Sequence, residues 1–178
     1  MSPLPLNSFP SGFAVRVPPP IHFTPAGEVI EVARTEPPPR PSSPPSYTSA
    51  SKKAGLSFQR KVATRLVKEF GGAVTVEPWF RFRSRGSDRW RYCSPDAILL
   101  LPYNNLIIVE TKLTHVPDSY YQLKQLYEPV IRKHFGLVPK LCSIVKSYDG
   151  ATPYPEEHDY IFELSELNPD KIGILRWK

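Results

Sequence analysis

The chain of 178 residues has room for one domain of ordinary size and a tail, and its hydrophobic fraction of 40% is enough for a core. No apolar run approaches the roughly 20 residues of a membrane span, and no basic patch followed by an apolar stretch opens the chain, so we expect neither a membrane protein nor a secretory signal. The net charge of +6 is concentrated in residues 51–150, which alone carry +9 and so favour a polyanionic partner, usually nucleic acid.

Proline dominates the first part of the chain, because 13 of the 22 prolines fall within residues 1–50. Each proline lacks a backbone donor and restricts the residue before it, so this stretch is expected to form neither a helix nor a central strand. We predict a disordered, polyproline-like arm over residues 1–50 and one folded domain over residues 51–178. The arm could recruit a protein partner through its PxxP-like runs, or it could be a solvated tether.

The first helix is predicted over residues 54–70, where apolar residues recur at helical spacing and a pair of glycines follows as a stop. Three strands are then predicted, over residues 73–84, 90–102 and 104–115.

A second amphipathic helix is predicted over residues 119–136, preceded by the capping residue Asp118 and kinked or split by Pro129. Further strand candidates follow at residues 140–148, 158–164 and 172–178. The order of elements predicts a mixed α/β domain without internal repeats or a glycine-rich phosphate loop.

Residues 79–92 interleave five arginines with aromatic side chains. Strand alternation would put Phe80 and Phe82 on one face and arginines on the other, so the stretch is either a half-buried strand with a solvated face or a ridge that contacts phosphates. His115 could also contact phosphate or be a partly exposed structural residue, and Lys124 could extend the surface or solvate its helix. The candidate nucleic-acid-binding residues are Arg81, Arg83, Arg85, Arg89, Arg91, His115 and Lys124.

The two strands at residues 90–115 carry charged side chains at their outer ends. In an antiparallel hairpin the numbers of paired residues have a constant sum, here about 206 to 208 for a turn near Tyr103 and Asn104. A sum of 206 or 208 places Asp96 on the same face as Glu110 and Lys112, whereas 207 would point it at Thr111 instead. Pro95 indicates a bend where strand pairing changes.

Both strands are apolar at successive positions, which predicts burial on both faces. Two carboxylates at the ends of such strands repel each other and lose hydration, and a divalent cation compensates for both effects. Mg²⁺, for which Mn²⁺ could substitute, fits Asp96 and Glu110 with the Thr111 carbonyl as a further ligand. The Lys112 ammonium would orient a water or a phosphate, so the pattern predicts a site for phosphodiester hydrolysis.

The PD at residues 95–96 and the ETK at residues 110–112 resemble the motif of the PD-(D/E)XK nuclease superfamily. The resemblance covers roughly residues 54–148 and implies a restriction-endonuclease-like core, a central mixed sheet of four to five strands flanked by helices in the order αβββαβ. It also implies that Asp96 and Glu110 bind metal and that Lys112 assists the nucleophile.

Three further residues are accessory candidates through the same resemblance. Gln59 ends a G-x-x-x-Q where many members have G-x-x-x-E, and an amide adds no charge to a metal site. Gln122 and Tyr127 resemble the Q-x-x-x-Y of the RecB-type branch, which includes proteins like Holliday-junction resolvases, although the spacing here is one residue longer. The two cysteines lack CxxC spacing, so we expect buried packing residues in a reducing compartment and neither a zinc site nor an iron–sulfur cluster.

The resemblance implies a Mg²⁺-dependent deoxyribonuclease acting on single-stranded, duplex or branched DNA, in repair, recombination or phage-type DNA processing. Such a protein would work in the cytoplasm of a bacterial or phage-infected cell, and it could be a homodimer. The alternative is a non-catalytic nucleic-acid-binding or adaptor protein on a nuclease scaffold, motivated by Gln59 and the arm. A third option is an RNA-directed enzyme.

Overall fold

The computed structural model describes residues 24–38, 49–148 and 157–178. The helices are α1 (Ala50–Phe70), α2 (Pro117–Tyr121) and α3 (Glu128–Phe135), and a π-helical turn, Gln122–Tyr127, joins the last two. The strands are β1 (Val29–Thr35), β2 (Val74–Val76), β3 (Trp79–Ser84), β4 (Arg91–Cys93), β5 (Ala97–Leu101), β6 (Asn105–Thr114), β7 (Lys140–Ser147), β8 (His158–Ile161) and β9 (Ile172–Arg176).

A mixed sheet of six strands, in the order β2-β5-β6-β7-β9-β8, forms the centre of the α/β domain. Strand β5 pairs antiparallel with β2 on one side and with β6 on the other. The pairs β6–β7, β7–β9 and β9–β8 are parallel. The predicted mixed sheet is confirmed, but the predicted size of four to five strands is too small, because the short edge strands β2 and β8 both join it.

Strand β6 is buried on both faces, as its unbroken apolar run predicts. Ile107 and Val109 face α1, which packs on the sheet through Phe58, Val62 and Leu66. The helical segment from α2 to α3 covers the opposite face. The end of β6 is therefore fixed between two packed layers, which makes it a rigid support for polar side chains.

Two predicted strands are each broken by a proline. The segment 73–84 divides at Glu77 (φ 46°) and Pro78 into β2, which joins the large sheet, and β3, which joins a separate sheet of three strands, β1-β3-β4. The segment 90–102 divides in the same way between β4 and β5, and this confirms the predicted change of pairing at Pro95.

The prediction of disorder across residues 1–50 is wrong for residues 29–35, which form β1. This strand pairs antiparallel with β3, with Val32 opposite Phe82. Residues 26–36 contain no proline and several β-branched side chains, a local exception that the proline-rich average of the arm conceals. Residues 1–23 and 39–48 lie outside the described part, and so do most of the proline runs, for which partner recruitment and a solvated tether stay alternative predictions.

The second helix spans 117–135 and stops at Gly136 in the left-handed conformation (φ 67°), as predicted. It begins two residues earlier than predicted, so Asp118 lies in its first turn and Val116 is the N-cap. Pro129 has no N–H to donate to the carbonyl of Gln125, four residues earlier, and the helix has its π-helical turn just before it. The N–H of Ala26 donates to that carbonyl instead, at 2.9 Å. The chain just before β1 thus satisfies the acceptor that Pro129 leaves open.

Cys93 and Cys142 are free and buried, in agreement with the predicted packing role. Burial raises the pKa of both thiols to about 12, which makes them poor nucleophiles. None of the helices described here is long and apolar enough to cross a membrane.

Candidate active site

The hairpin of β5 and β6 has the register that brings the charged ends together. Ala97 lies opposite Val109, a sum of 206, so Asp96 is level with Glu110 as predicted. The connecting turn has Tyr103 and Asn104 at positive φ (62° and 57°), the conformation that tight hairpins favour.

The carboxylate of Asp96 is held by three donors. Its Oδ2 accepts hydrogen bonds from the Thr111 N–H at 2.7 Å and from the Thr111 hydroxyl at 2.5 Å, and its Oδ1 accepts from Gln59 Nε2 at 2.7 Å. Partial burial raises the pKa of Asp96, and the two bonds from Thr111 oppose that shift. The N–H and hydroxyl of Thr111 thus fix the position of Asp96, while metal binding by its carbonyl stays a prediction.

Glu110 is the most unusual group in the cluster, because it is a carboxylate with only 4% of its surface exposed. Its Oε1 lies 2.8 Å from Lys112 Nζ, while its Oε2 is buried without a hydrogen-bond partner among the described residues. Burial raises the pKa of Glu110 to about 7, and the nearby Asp96 carboxylate adds to the rise. The Lys112 ammonium and the nearby Tyr127 hydroxyl oppose the shift. Such a group gains from any cation that reaches Oε2.

Gln59 joins Asp96 to an acid that the sequence did not single out. Its Nε2 donates to Asp96 Oδ1 and also, at 2.9 Å, to Glu77 Oε1. The N–H of Glu77 donates to the carbonyl of Asp96, so the break between β2 and β3 is tied to the site. The sequence feature that could have identified Glu77 is its position directly before Pro78, because strand pairing changes there as it does at Pro95.

The predicted accessory residues of the second helix lie on its π-helical turn. Tyr127 is buried, and its hydroxyl donates to the carbonyl of Ser94 at 3.3 Å. Burial, and then the Glu110 carboxylate, raise the pKa of Tyr127 well above its usual value. Gln122 Oε1 and Ser143 Oγ are both buried without a hydrogen-bond partner in the described ranges, and Ser143 pairs with Glu110 across β6 and β7.

Two of the five candidate arginines form ion pairs with β1 and the turn before it. Arg83 pairs with Glu31 across β3 and β1, and Arg85 Nη2 lies 2.9 Å from Glu28 Oε1. These acids lie more than 50 residues away in sequence, so only the pairing of β1 with β3 reveals the neutralisation.

The other three arginines also lie away from the carboxylate cluster. Arg91 donates to the carbonyls of residues 24 and 25, and Arg81 lies over the ring of Trp90 at 4.7 Å, while Arg89 is exposed. No arginine of the stretch lines the cleft at Asp96. Their contact with nucleic acid stays a prediction.

The two candidate residues near the second helix have different surroundings. Lys124 pairs with Glu128, one turn later, at 3.1 Å. His115 is fully buried with its ring 4.9 Å from that of Tyr148, so the predicted contact with phosphate is wrong for this conformation. Its burial is more complete than the partly exposed position predicted for a structural histidine.

An open cleft of about 340 Å³ lies between the first half of α1 and the end of β6. Its polar lining includes Lys52, Gln59, Asp96, Glu110 and Lys112. In the described ranges, no three side chains of the His, Cys, Asp or Glu types are grouped to hold a metal. Two carboxylates still fit Mg²⁺, which takes one or two carboxylates with waters, and the unpartnered Glu110 Oε2 supplies a hard oxygen donor.

Replacing Gln59 with glutamate tests whether its amide substitutes for a third acid. The variant puts a carboxylate between Asp96 and Glu77 and removes the donor to both, so without metal we expect a stability loss of about 1–3 kcal/mol. Millimolar Mg²⁺ is expected to recover more stability in this variant than in the wild type, because the added charge strengthens the site. Thermal unfolding with EDTA or Mg²⁺ measures both effects, with Gln59→Met as the control that removes the donor without adding charge. Equal Mg²⁺ recovery in both variants would contradict a metal at this position.

A scan against protein-family models finds no match for this chain, and a search of curated proteins finds no significant match. The resemblance to the PD-(D/E)XK superfamily therefore depends on the motif residues themselves. The α/β fold, the hairpin register and the ion pair of Glu110 with Lys112 are seen in the structure of this chain and do not depend on that resemblance.

Proposed function

We propose that this protein is a metal-dependent nuclease that hydrolyses DNA phosphodiester bonds, with Asp96, Glu110 and Lys112 as its catalytic residues. The observation that supports it most is the buried Glu110, which keeps one oxygen unpartnered beside Asp96 and an ammonium at the edge of an open cleft. A protein seldom retains two close, desolvated carboxylates without a ligand that compensates for them. DNA as the substrate, and a role in repair, recombination or phage-type processing, come from the motif resemblance.

Asp96 and Glu110 would hold Mg²⁺ or Mn²⁺, with Gln59 beside them. When bound, the metal would act as a Lewis acid toward the phosphate and lower the pKa of a bound water. Thr111 prepares the site by fixing Asp96 through two hydrogen bonds. Little reorganisation is then needed when the substrate arrives.

Lys112 is suited to meet the phosphate. Its side chain is 24% exposed, so it reaches the cleft, while the 2.8 Å contact with Glu110 Oε1 limits its motion. The ammonium can donate to a phosphate oxygen or to the attacking water, and in either position it stabilises negative charge that develops on the phosphodiester.

Cleavage assays with Asp96→Asn test the assignment. The purified 178-residue chain with Mg²⁺ or Mn²⁺ is expected to cut single-stranded, duplex or branched DNA. The variant is expected to lose at least about 100-fold in rate, as is typical when an electrostatic group is removed from an active site. Asp170→Asn, at an exposed carboxylate outside the cleft, is the matched control and should retain full activity. Unchanged cleavage in Asp96→Asn would exclude this site.

A second candidate is a nucleic-acid-binding protein without catalysis. It is supported by the donors of Gln59 and Thr111, which satisfy Asp96 without any metal. This function predicts binding that weakens with salt, no metal-dependent cleavage, and little effect of Lys112→Ala.

A further inference from the structure

Helix α1 contributes more than half of the net positive charge of residues 51–150. It has six basic residues and one acid, a net +5 of the +9 found in residues 51–150. A solvated helix usually mixes both signs, because like charges one turn apart destabilise it. The excess of basic over acidic residues in α1 is therefore not explained by solubility alone.

Five of the six basic side chains of α1 line one exposed face. Phe58, Val62 and Leu66 pack on the sheet, and the side of the helix turned away from them forms a shallow open groove. The polar lining of this groove includes Lys53, Ser57, Arg60, Lys61, Thr64 and Lys68.

Four of these cations are available to an outside partner. Lys53, Arg60, Lys61 and Lys68 make no ion pair with any residue in the described ranges, whereas the neighbouring Arg65 pairs with Glu69. The arginines of residues 79–92 differ, because three of the five are engaged by the segment that contains β1. Of these two segments, α1 therefore holds most of the unpaired cations in the described ranges, and not, as the sequence suggested, the aromatic stretch at residues 79–92.

The basic groove adjoins the candidate active site. Leu56 lines both the groove and the cleft, and the cleft also includes Lys52 from the same helix. From Lys53 to Lys68 the helix extends about 22 Å, which matches the rise of roughly six nucleotides of one DNA strand.

We propose that the outer face of α1, formed by Lys53, Arg60, Lys61 and Lys68, binds the phosphate backbone of a nucleic acid and leads it to the cleft. The inference extends the proposed nuclease, but the binding itself does not depend on cleavage. Ser57 and Thr64 add hydroxyl donors between the cations, and Leu56 is the one bulky apolar residue among those that line the groove. This composition fits phosphates better than a lipid surface, which requires an apolar face.

The test compares two triple variants of the 178-residue chain that lose the same charge. Arg60→Gln/Lys61→Gln/Lys68→Gln neutralises the groove, and Arg132→Gln/Lys133→Gln/Lys140→Gln neutralises cations of α3 and the start of β7. Fluorescence anisotropy with fluorescein-labelled single-stranded and duplex 20-mers in EDTA measures binding without cleavage, between 50 and 200 mM salt. If thermal unfolding shows that the triple variant is poorly folded, the single variants Arg60→Gln and Lys61→Gln are used instead, and each should show a smaller loss of binding affinity.

We expect the groove variant to bind duplex DNA at least 10-fold more weakly than the wild type, with a salt slope smaller by about 2 to 3, and the control to change less than 3-fold. Equal weakening of both variants, or wild-type binding by the groove variant, would overturn the proposal, as would wild-type protein that binds phosphatidylserine vesicles and no DNA. Selective loss in the groove variant, even if the wild type never cuts DNA, would support this surface while the nuclease proposal failed.

Discussion

Glu110→Gln is expected to abolish cleavage and, at pH 8, to raise the unfolding temperature. The variant keeps the size of the side chain but removes the charge that would bind the metal, so activity should fall at least about 100-fold. It also removes a buried carboxylate that Asp96 repels and that Lys112 compensates only at Oε1. Loss of function with a gain in stability is the pattern of a residue kept for its chemistry.

The pH dependence follows from the direction of the pKa shift. The pKa of Glu110 is raised from 4.5 to about 7 in the folded protein, so between these values the folded state binds more protons than the unfolded state. Its contribution to stability is present below pH 4.5 and is lost as the pH rises through 7, a change on the order of 3 kcal/mol. Asp96 shifts in the same direction and adds to the trend.

Thermal unfolding of the metal-free protein from pH 5 to pH 8 measures this dependence. The unfolding temperature of the wild type is expected to fall by several degrees across that range. The unfolding temperature of Glu110→Gln should change less and should be higher than that of the wild type at pH 8. Mg²⁺ should stabilise the wild type most at high pH, where Glu110 is ionised, and should have little effect on the variant. Glu163→Gln, on an exposed carboxylate, is the control that should follow the wild type. If the unfolding temperatures of the wild type and of Glu110→Gln depend on pH in the same way, the raised pKa of Glu110 is contradicted.

The core of the site could be predicted because it depends on local geometry. Two apolar runs and a short turn determine the register of β5 and β6, and the register alone brings Asp96 level with Glu110. Helix α1, β7 and the final strand are similarly marked by periodicity and by flanking glycine or proline.

The other parts of the site and the pairing of β1 depend on contacts between distant segments, which no local sequence pattern encodes. Gln59 reaches both Asp96 and Glu77 only because α1 packs over the ends of β2 and β5. The ion pairs of Arg83 and Arg85 need β1, and β1 was concealed by the prolines around it. A prediction from local composition averages over a segment as short as β1. The stability of β1, however, depends on pairing with β3, some 50 residues away.

Val32→Asp is expected to destabilise the domain strongly, which would establish the segment around β1 as part of the fold. Val32 pairs with Phe82 and packs against the hydrophobic core that also contains Ala26, so a carboxylate there should cost about 2–4 kcal/mol. Releasing this segment would also leave the Gln125 carbonyl without its donor, at a further cost of about 1–3 kcal/mol.

Ile30→Asp is the matched control, because Ile30 is 44% exposed where the register of β1 shifts. It should change the free energy of unfolding by no more than about 0.5 kcal/mol. Urea unfolding of both variants, together with a deletion of residues 1–36, gives the comparison, and the deletion is expected to be at least as unstable as Val32→Asp. If the deletion unfolds like the wild type, β1 is dispensable, and Arg83, Arg85 and Arg91 become free to bind phosphate in its absence. The stability of this strand therefore decides whether the aromatic arginine stretch is structural or a second nucleic-acid surface.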